Sequence, residues 1–151
     1  MTSVQAAFSR DENFVPIQAL GFTQTKTITY AAATTGATGA TTLFTVTGAV
    51  AATFFAVCSA DLDQTGATAT LEIGISGNTA AVAAQTAATA IDSGEIWYGT
   101  SPPTVGVMPS QLILAGTNVI QTIAGNTVKQ GTLTFYCLWF PISTDGNVVA
   151  A

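Results

Sequence analysis

Apolar and polar residues alternate with a period of two over long stretches of this chain. In 23–30 (TQTKTITY), Thr23, Thr25, Thr27 and Thr29 fall on one face and Ile28 and Tyr30 on the other. In 41–48 (TTLFTVTG), Phe44 and Val46 share a face. In 67–75 (ATATLEIGI), Ala69, Leu71, Ile73 and Ile75 oppose Thr68, Thr70 and Glu72. Such alternation predicts strands with one face in a core and one in water. Two stretches break it. In 51–60 (AATFFAVCSA) and 131–142 (GTLTFYCLWFPI) both faces are apolar. In the second, Leu133, Phe135, Cys137 and Trp139 oppose Tyr136, Leu138 and Phe140. An antiparallel sheet normally leaves one face wet, so these strands predict an outer face that is covered, by the N-terminal segment or by a neighbouring subunit. Pro141 suits a strand end, where no ladder donor is required.

Turn-forming clusters punctuate the pattern: TTGATGA (34–40), DQTG (63–66), SGN (76–78), DSGE (92–95), TSPP (100–103), AGT (115–117) and AGN (124–126). A spacing of roughly 8–15 residues suits a sandwich or jelly roll. The stretch TAAVAAQTAATAI (79–91) is rich in Ala, but its interspersed Thr residues favour a strand pair over a helix. The predicted fold is all-β: an antiparallel, jelly-roll-like β-sandwich over 23–151 with a short C-terminal tail. The 151 residues suffice for one domain with a proper core.

Residues 1–22 carry no periodicity and predict an extended N-terminal arm. Phe8, Phe14, Val15 and Ile17 offer apolar contacts, and Pro16 favours an extended path. The cluster Arg10, Asp11 and Glu12 would fix register through ion pairs. These eight residues are the expected partner-binding residues. The alternative is a loose tail, as termini often are.

Composition narrows the function. The chain is 48% hydrophobic but only 7% charged, with eight acidic residues, three basic ones and no histidine, for a net charge of −5. Phosphate binding needs clustered basic side chains, whereas Arg10, Lys26 and Lys129 lie far apart. Nucleic acid and anionic membrane surfaces are therefore not expected partners. The mean hydropathy of +0.49 owes much to Ala, and the densest apolar run, 48–58 (GAVAATFFAVC), is shorter than the ~20 residues of a spanning helix. The N-terminus shows no basic start followed by an apolar core, so no secretory signal is expected. Scarce charge predicts surface hidden in an assembly, a homo-oligomer, because interface cores are depleted of charge and monomers usually keep theirs.

Chemistry is sparse. Without histidine the usual general base is missing, so no enzymatic activity and no cofactor are expected. Asp61, Asp63, Thr65, Gly66 and Glu72 match positions 1, 3, 5, 6 and 12 of an EF-hand calcium loop. Their flanks read as strands and not helices, so a hairpin loop is expected and calcium binding is not. Asp92 and Glu95 bracket a turn, which is a commoner role than a pair of catalytic carboxylates. Trp97-Tyr98 would serve as a sugar-stacking platform or, more commonly, as buried aromatics. Cys58 and Cys137 are expected as buried, reduced thiols, with a bridge between neighbouring strands left open.

Three stretches together resemble small virion structural proteins of tailed bacteriophages, of the capsid-decoration or auxiliary head type. The leader SRDENFVPIQALGF is similar to their N-terminal pieces. TITYAAATTGATGATTLFTVTG resembles their first hairpin, and GTLTFYCLWFPISTDGNVVAA their final strand and tail. The resemblance implies a β-rich, often trimeric protein that binds the head shell and is assembled in the host cytoplasm into the virion. The expected partners are copies of itself and the major capsid protein, reached through the arm. The alternative is a tail- or neck-associated structural or receptor/carbohydrate-binding module.

Overall fold

The computed structural model describes residues 21–99 and 101–151. The expected arm residues Phe8, Arg10, Asp11, Glu12, Phe14, Val15, Pro16 and Ile17 lie outside them. The described residues form ten strands and no α-helix: β1 (Phe22–Thr29), β2 (Gly39–Thr47), β3 (Ala49–Gln64), β4 (Thr70–Ile75), β5 (Asn78–Ala87), β6 (Ile96–Trp97), β7 (Leu112–Ala115), β8 (Val119–Ala124), β9 (Val128–Pro141) and β10 (Asn147–Ala150).

Two antiparallel five-stranded sheets pack as a sandwich. The first runs β1-β9-β3, with β6 and β7 both pairing along the far side of β3. The second runs β10-β2-β8-β4-β5. Long β3 and β9 form the spine of the first sheet, paired from Val50↔Pro141 to Gln64↔Val128. Their inner faces bury Val50, Phe54, Cys58, Leu133, Phe135 and Trp139 against Leu43, Phe44, Leu71, Ile73, Val119 and Ile123 of the second sheet. Each such side chain contributes about 1.5–3 kcal/mol on burial. The Phe44 and Phe54 rings meet across the interior at 5.9 Å.

The all-β sandwich expected from the alternation is the observed fold. Ala69, Leu71 and Ile73 are buried as their period requires. Four local features differ from expectation. β1 and β2 lie in different sheets, so 27–48 is no hairpin. The 79–91 stretch is not a strand pair: β5 ends at Ala87, and Ala88–Ala90 form a 3-10 turn. A shift in register between Thr42 and Phe44 turns both Leu43 and Phe44 into the core, which strict alternation forbids. Finally, Asn147–Ala150 form an edge strand on β2. Lys26 ties this edge of the sandwich together. On β1 of the first sheet, its Nζ donates to the Thr42 carbonyl at 2.8 Å and to the Ala151 oxygen at 2.6 Å, both beside the second sheet.

Candidate interaction surface

The outer face of the first sheet holds the second apolar row of β3 and β9. Register places Thr25, Tyr136 and Phe55 side by side, with Thr23, Leu138 and Thr53 in the next row. Phe55 and Tyr136 stack at 5.1 Å with nearly parallel rings, 8° apart. Val57 pairs with Ile96 of β6, and Ala51 with Ile113 of β7. Over Thr23–Thr29, Ala51–Val57 and Thr132–Phe140 no residue on this face is charged.

The face continues into the loop that joins β6 to β7. Its residues 101–111 (SPPTVGVMPSQ) project Val105, Val107 and Met108, which are 84%, 79% and 60% exposed; Ile113 just beyond is 75% exposed. The loop is held at its base, where the Ile96 amide donates to the Pro103 carbonyl at 2.7 Å. Phe55, Ile96, Val107, Met108 and Pro109 line one small hollow of about 110 Å³, which makes sheet face and loop continuous. A larger open hollow of about 440 Å³ lies under the same loop, between Phe54, Val82, Tyr98, Met108 and Leu112. The smaller hollow is lined mainly by aliphatic and aromatic groups, whereas Tyr98 and Ser110 add polar surface to the larger one.

The sequence signals for this loop were weak. TSPP marks a turn, but period-two reasoning is silent on a strandless segment, and nothing in VGVMP separates a buried run from an exposed one. The run of apolar residues between Pro103 and Pro109 is the signal in hindsight, because prolines keep such a run out of a central strand.

The other candidate residues are occupied locally. Asp61 Oδ1 accepts from the Ser93 amide at 2.7 Å. Asp63 pairs with Lys129 at 2.7 Å, and this ammonium, with the Gln64 amide, holds its carboxyl below the usual range. Glu72 stands on β4 of the other sheet, opposite Thr122. The calcium-loop residues are thus split between sheets, and the expected hairpin loop is instead the end of β3, which runs to Gln64, followed by a crossing to the second sheet. Glu95 Oε2 accepts from the Asp92 amide at 2.8 Å, so these two acids close their own turn. Trp97 is fully buried, and its Nε1 donates to Thr86 Oγ1 at 3.0 Å, linking β6 to β5 across the sandwich. It offers no stacking platform.

Both thiols are free and buried. Cys58 pairs with Leu133 and Cys137 with Phe54, so four ladder positions separate them. Burial pushes Cys137 up to about 12. Burial also raises Cys58, opposed by a backbone hydrogen bond at Ala60 and helped by the carboxylates of Asp61, Glu95 and Asp92. Both stay protonated near neutrality, the opposite of an activated nucleophile. Comparison with family models, curated proteins and solved structures found no match.

Proposed function

We propose that this chain is a non-enzymatic structural subunit of a virion, of the capsid-decoration or auxiliary head type, which works as a homotrimer and is assembled in the host cytoplasm. One observation carries the reading: the uncharged outer face of the first sheet meets the exposed Val107 and Met108 of the β6–β7 loop in one hollow with Phe55 and Ile96, and Val105 of the same loop is exposed as well. Contiguous apolar surface of this kind marks a protein–protein contact, and interface cores are the places where charge is depleted. The resemblance of the leader and the closing stretch to small phage virion proteins supplies the identity of the assembly. The side-chain chemistry agrees, since both thiols are held protonated by burial and Asp92 and Glu95 close a turn.

The test is sedimentation of the purified chain with phage heads that lack it, alongside light scattering of the free protein. The expected outcome is saturable attachment to heads and a free particle three times the 15.3 kDa chain mass. Binding to host cells in place of heads would replace the reading with a receptor-binding one. A monomer that attaches to neither would overturn it.

A further inference from the structure

We infer that β1 of one copy pairs antiparallel with β1 of a second copy, across a two-fold axis at Thr25, and so joins two first sheets into one. The inference goes beyond the proposed function, because it uses none of the loop surface on which that reading rests. It starts from the open edges of the sandwich. Unpaired backbone groups at a sheet edge can pair with another chain, so natural edges are kept short, bulged, proline-bearing or charged. Strands β6, β7 and β10 are two to four residues long. Strand β5 is longer, but its register against β4 shifts twice. Strand β1 has none of these guards. Its eight residues hold no proline and pair with β9 in unbroken register from Phe22↔Trp139 to Thr29↔Thr132. Its one charge, Lys26, is turned inward, with Nζ donating to the Thr42 carbonyl and the Ala151 oxygen.

The ladder fixes which backbone groups face out. The Tyr30 amide donates to the Gly131 carbonyl at 2.9 Å, in the register that continues from β1. Antiparallel partners exchange bonds at every second residue. Ile28, Lys26 and Gln24 therefore bond to β9, while Thr23, Thr25, Thr27 and Thr29 point their amides and carbonyls away from it. The Thr29 carbonyl has the same phase and is already taken, since it accepts from Thr35 Oγ1 at 2.7 Å. Among the described residues, nothing bonds the outward backbone groups of Thr23, Thr25 and Thr27.

The order of residues then selects a second copy as the occupant. Centred on Thr25, an antiparallel pair sets Thr25 against Thr25, Thr23 against Thr27, Gln24 against Lys26 and Phe22 against Ile28 of the other copy. Threonine pairs and apolar pairs across strands are favourable, whereas like charges directly opposite are not. Centring on Lys26 would set the two lysines against each other. Centring on Gln24 or Thr27 would set Thr27 or Thr23 against position 21 or 31, outside the strand. The Thr25 register engages all three free threonines and keeps the cations apart. A single strand pair of this length falls in the class below ~1,200 Å² that holds transient complexes. It forms reversibly, beside the stronger association proposed for the loop.

The test is disulfide trapping of the full chain under mild oxidation, with one new cysteine per chain and the native Cys58 and Cys137 buried. The Cα atoms of a bonded antiparallel pair lie ~5.5 Å apart, within disulfide range. Thr25→Cys should form a covalent dimer several-fold faster than Thr23→Cys or Thr27→Cys alone. A mixture of Thr23→Cys and Thr27→Cys should give the mixed dimer at a rate close to that of Thr25→Cys. All three positions are exposed, so random collision gives equal rates, and equal rates would overturn the inference. The absence of any trapped dimer would overturn it as well, by showing the edge closed to a second copy. Adding Thr25→Pro to both chains of the mixture should abolish the mixed dimer and leave the thermal midpoint nearly unchanged, because the lost amide faces away from β9. A mixed dimer that survives this substitution would rule out strand pairing as its cause.

Discussion

Tyr30 Oη donates a 2.6 Å hydrogen bond to Gln121 Oε1 in the space between the two sheets, where both residues are buried. Tyr30 follows β1 of the first sheet and Gln121 lies on β8 in the middle of the second, so one polar bond spans the sandwich. Gln121 Nε2 has no partner among the described residues, so the bond from Tyr30 satisfies only the oxygen of this amide. Removing one partner of a buried bond costs more than removing both. We expect Tyr30→Phe to cost about 1–3 kcal/mol. Tyr30→Phe/Gln121→Leu should recover most of that loss, because it leaves no orphaned polar atom. Urea unfolding of the two variants decides it; a double variant no more stable than the single one would show that the bond is not what Tyr30 supplies.

Alkali should unfold the protein earlier than its few acids and bases suggest. Burial raises the Tyr30 hydroxyl above its ordinary value of 10.0, raises Cys58 above 9.0 and pushes Cys137 up to about 12. In each case the native state keeps a proton that the unfolded chain releases. The native state binds more protons, so stability falls as pH rises. The full contribution is present below about pH 8 and declines above 9, first through the thiols and then, above 10, through Tyr30 as well. Each fully engaged group adds a slope of about 1.4 kcal/mol per pH unit. Urea midpoints at pH 8, 9 and 10 under reducing conditions should fall steadily. Cys137→Ala should start lower, from its cavity, and fall less steeply. Parallel curves for the two proteins would refute the assignment to Cys137.

Much of this fold was legible in the alternation, and the reason is physical. A strand's faces are set by its own sequence, so Leu71 and Ile73 declared their burial locally. Which strands pair is set by contacts far along the chain. Nothing in 27–48 records that β1 pairs with β9 and β2 with β8, in opposite layers. The double-apolar rows of β3 and β9 did announce a second surface. The β6–β7 loop that completes it did not, because an exposed apolar run without period looks the same as a buried one. The spacing of Asp61, Asp63 and Glu72 imitates a ligand set, but their strand-like flanks already argued against one, and β3 and β4 carry them into different sheets.

Gly36 is expected to be intolerant of any side chain, for a reason other than backbone conformation. A Cβ at Gly36 would fall 1.7 Å from the Val128 carbonyl oxygen and 2.8 Å from its carbon. These are backbone atoms, and the Val128 amide is itself bonded to the Gly36 carbonyl at 2.9 Å, so the two segments cannot part without losing the start of β9. We expect Gly36→Ala to cost on the order of 4 kcal/mol or to prevent folding. Gly99→Ala is the control, since a Cβ there meets nothing within 4 Å. Equal thermal midpoints for the two variants would show that the 30–38 turn yields more easily than its close approach implies.

The loop between β6 and β7 separates stability from assembly most cleanly. Val107 and Met108 are mostly exposed, so a charge placed there buries nothing and displaces little of the core. Surface substitutions of this kind usually change stability by no more than about 0.5 kcal/mol. If the loop packs against another protein, the same charge is driven into an interface core, where an unpaired ion costs several kcal/mol. Val107→Asp and Met108→Asp should therefore leave the thermal midpoint nearly unchanged and abolish association, whether read as particle mass in solution or as attachment to phage heads. The neutral pair Val107→Ala and Met108→Ala should weaken association by a smaller factor, since only apolar area is lost. Should the Asp variants at 107 and 108 assemble as well as the parent chain, the loop is not the contact, and the partner must dock elsewhere on the sandwich.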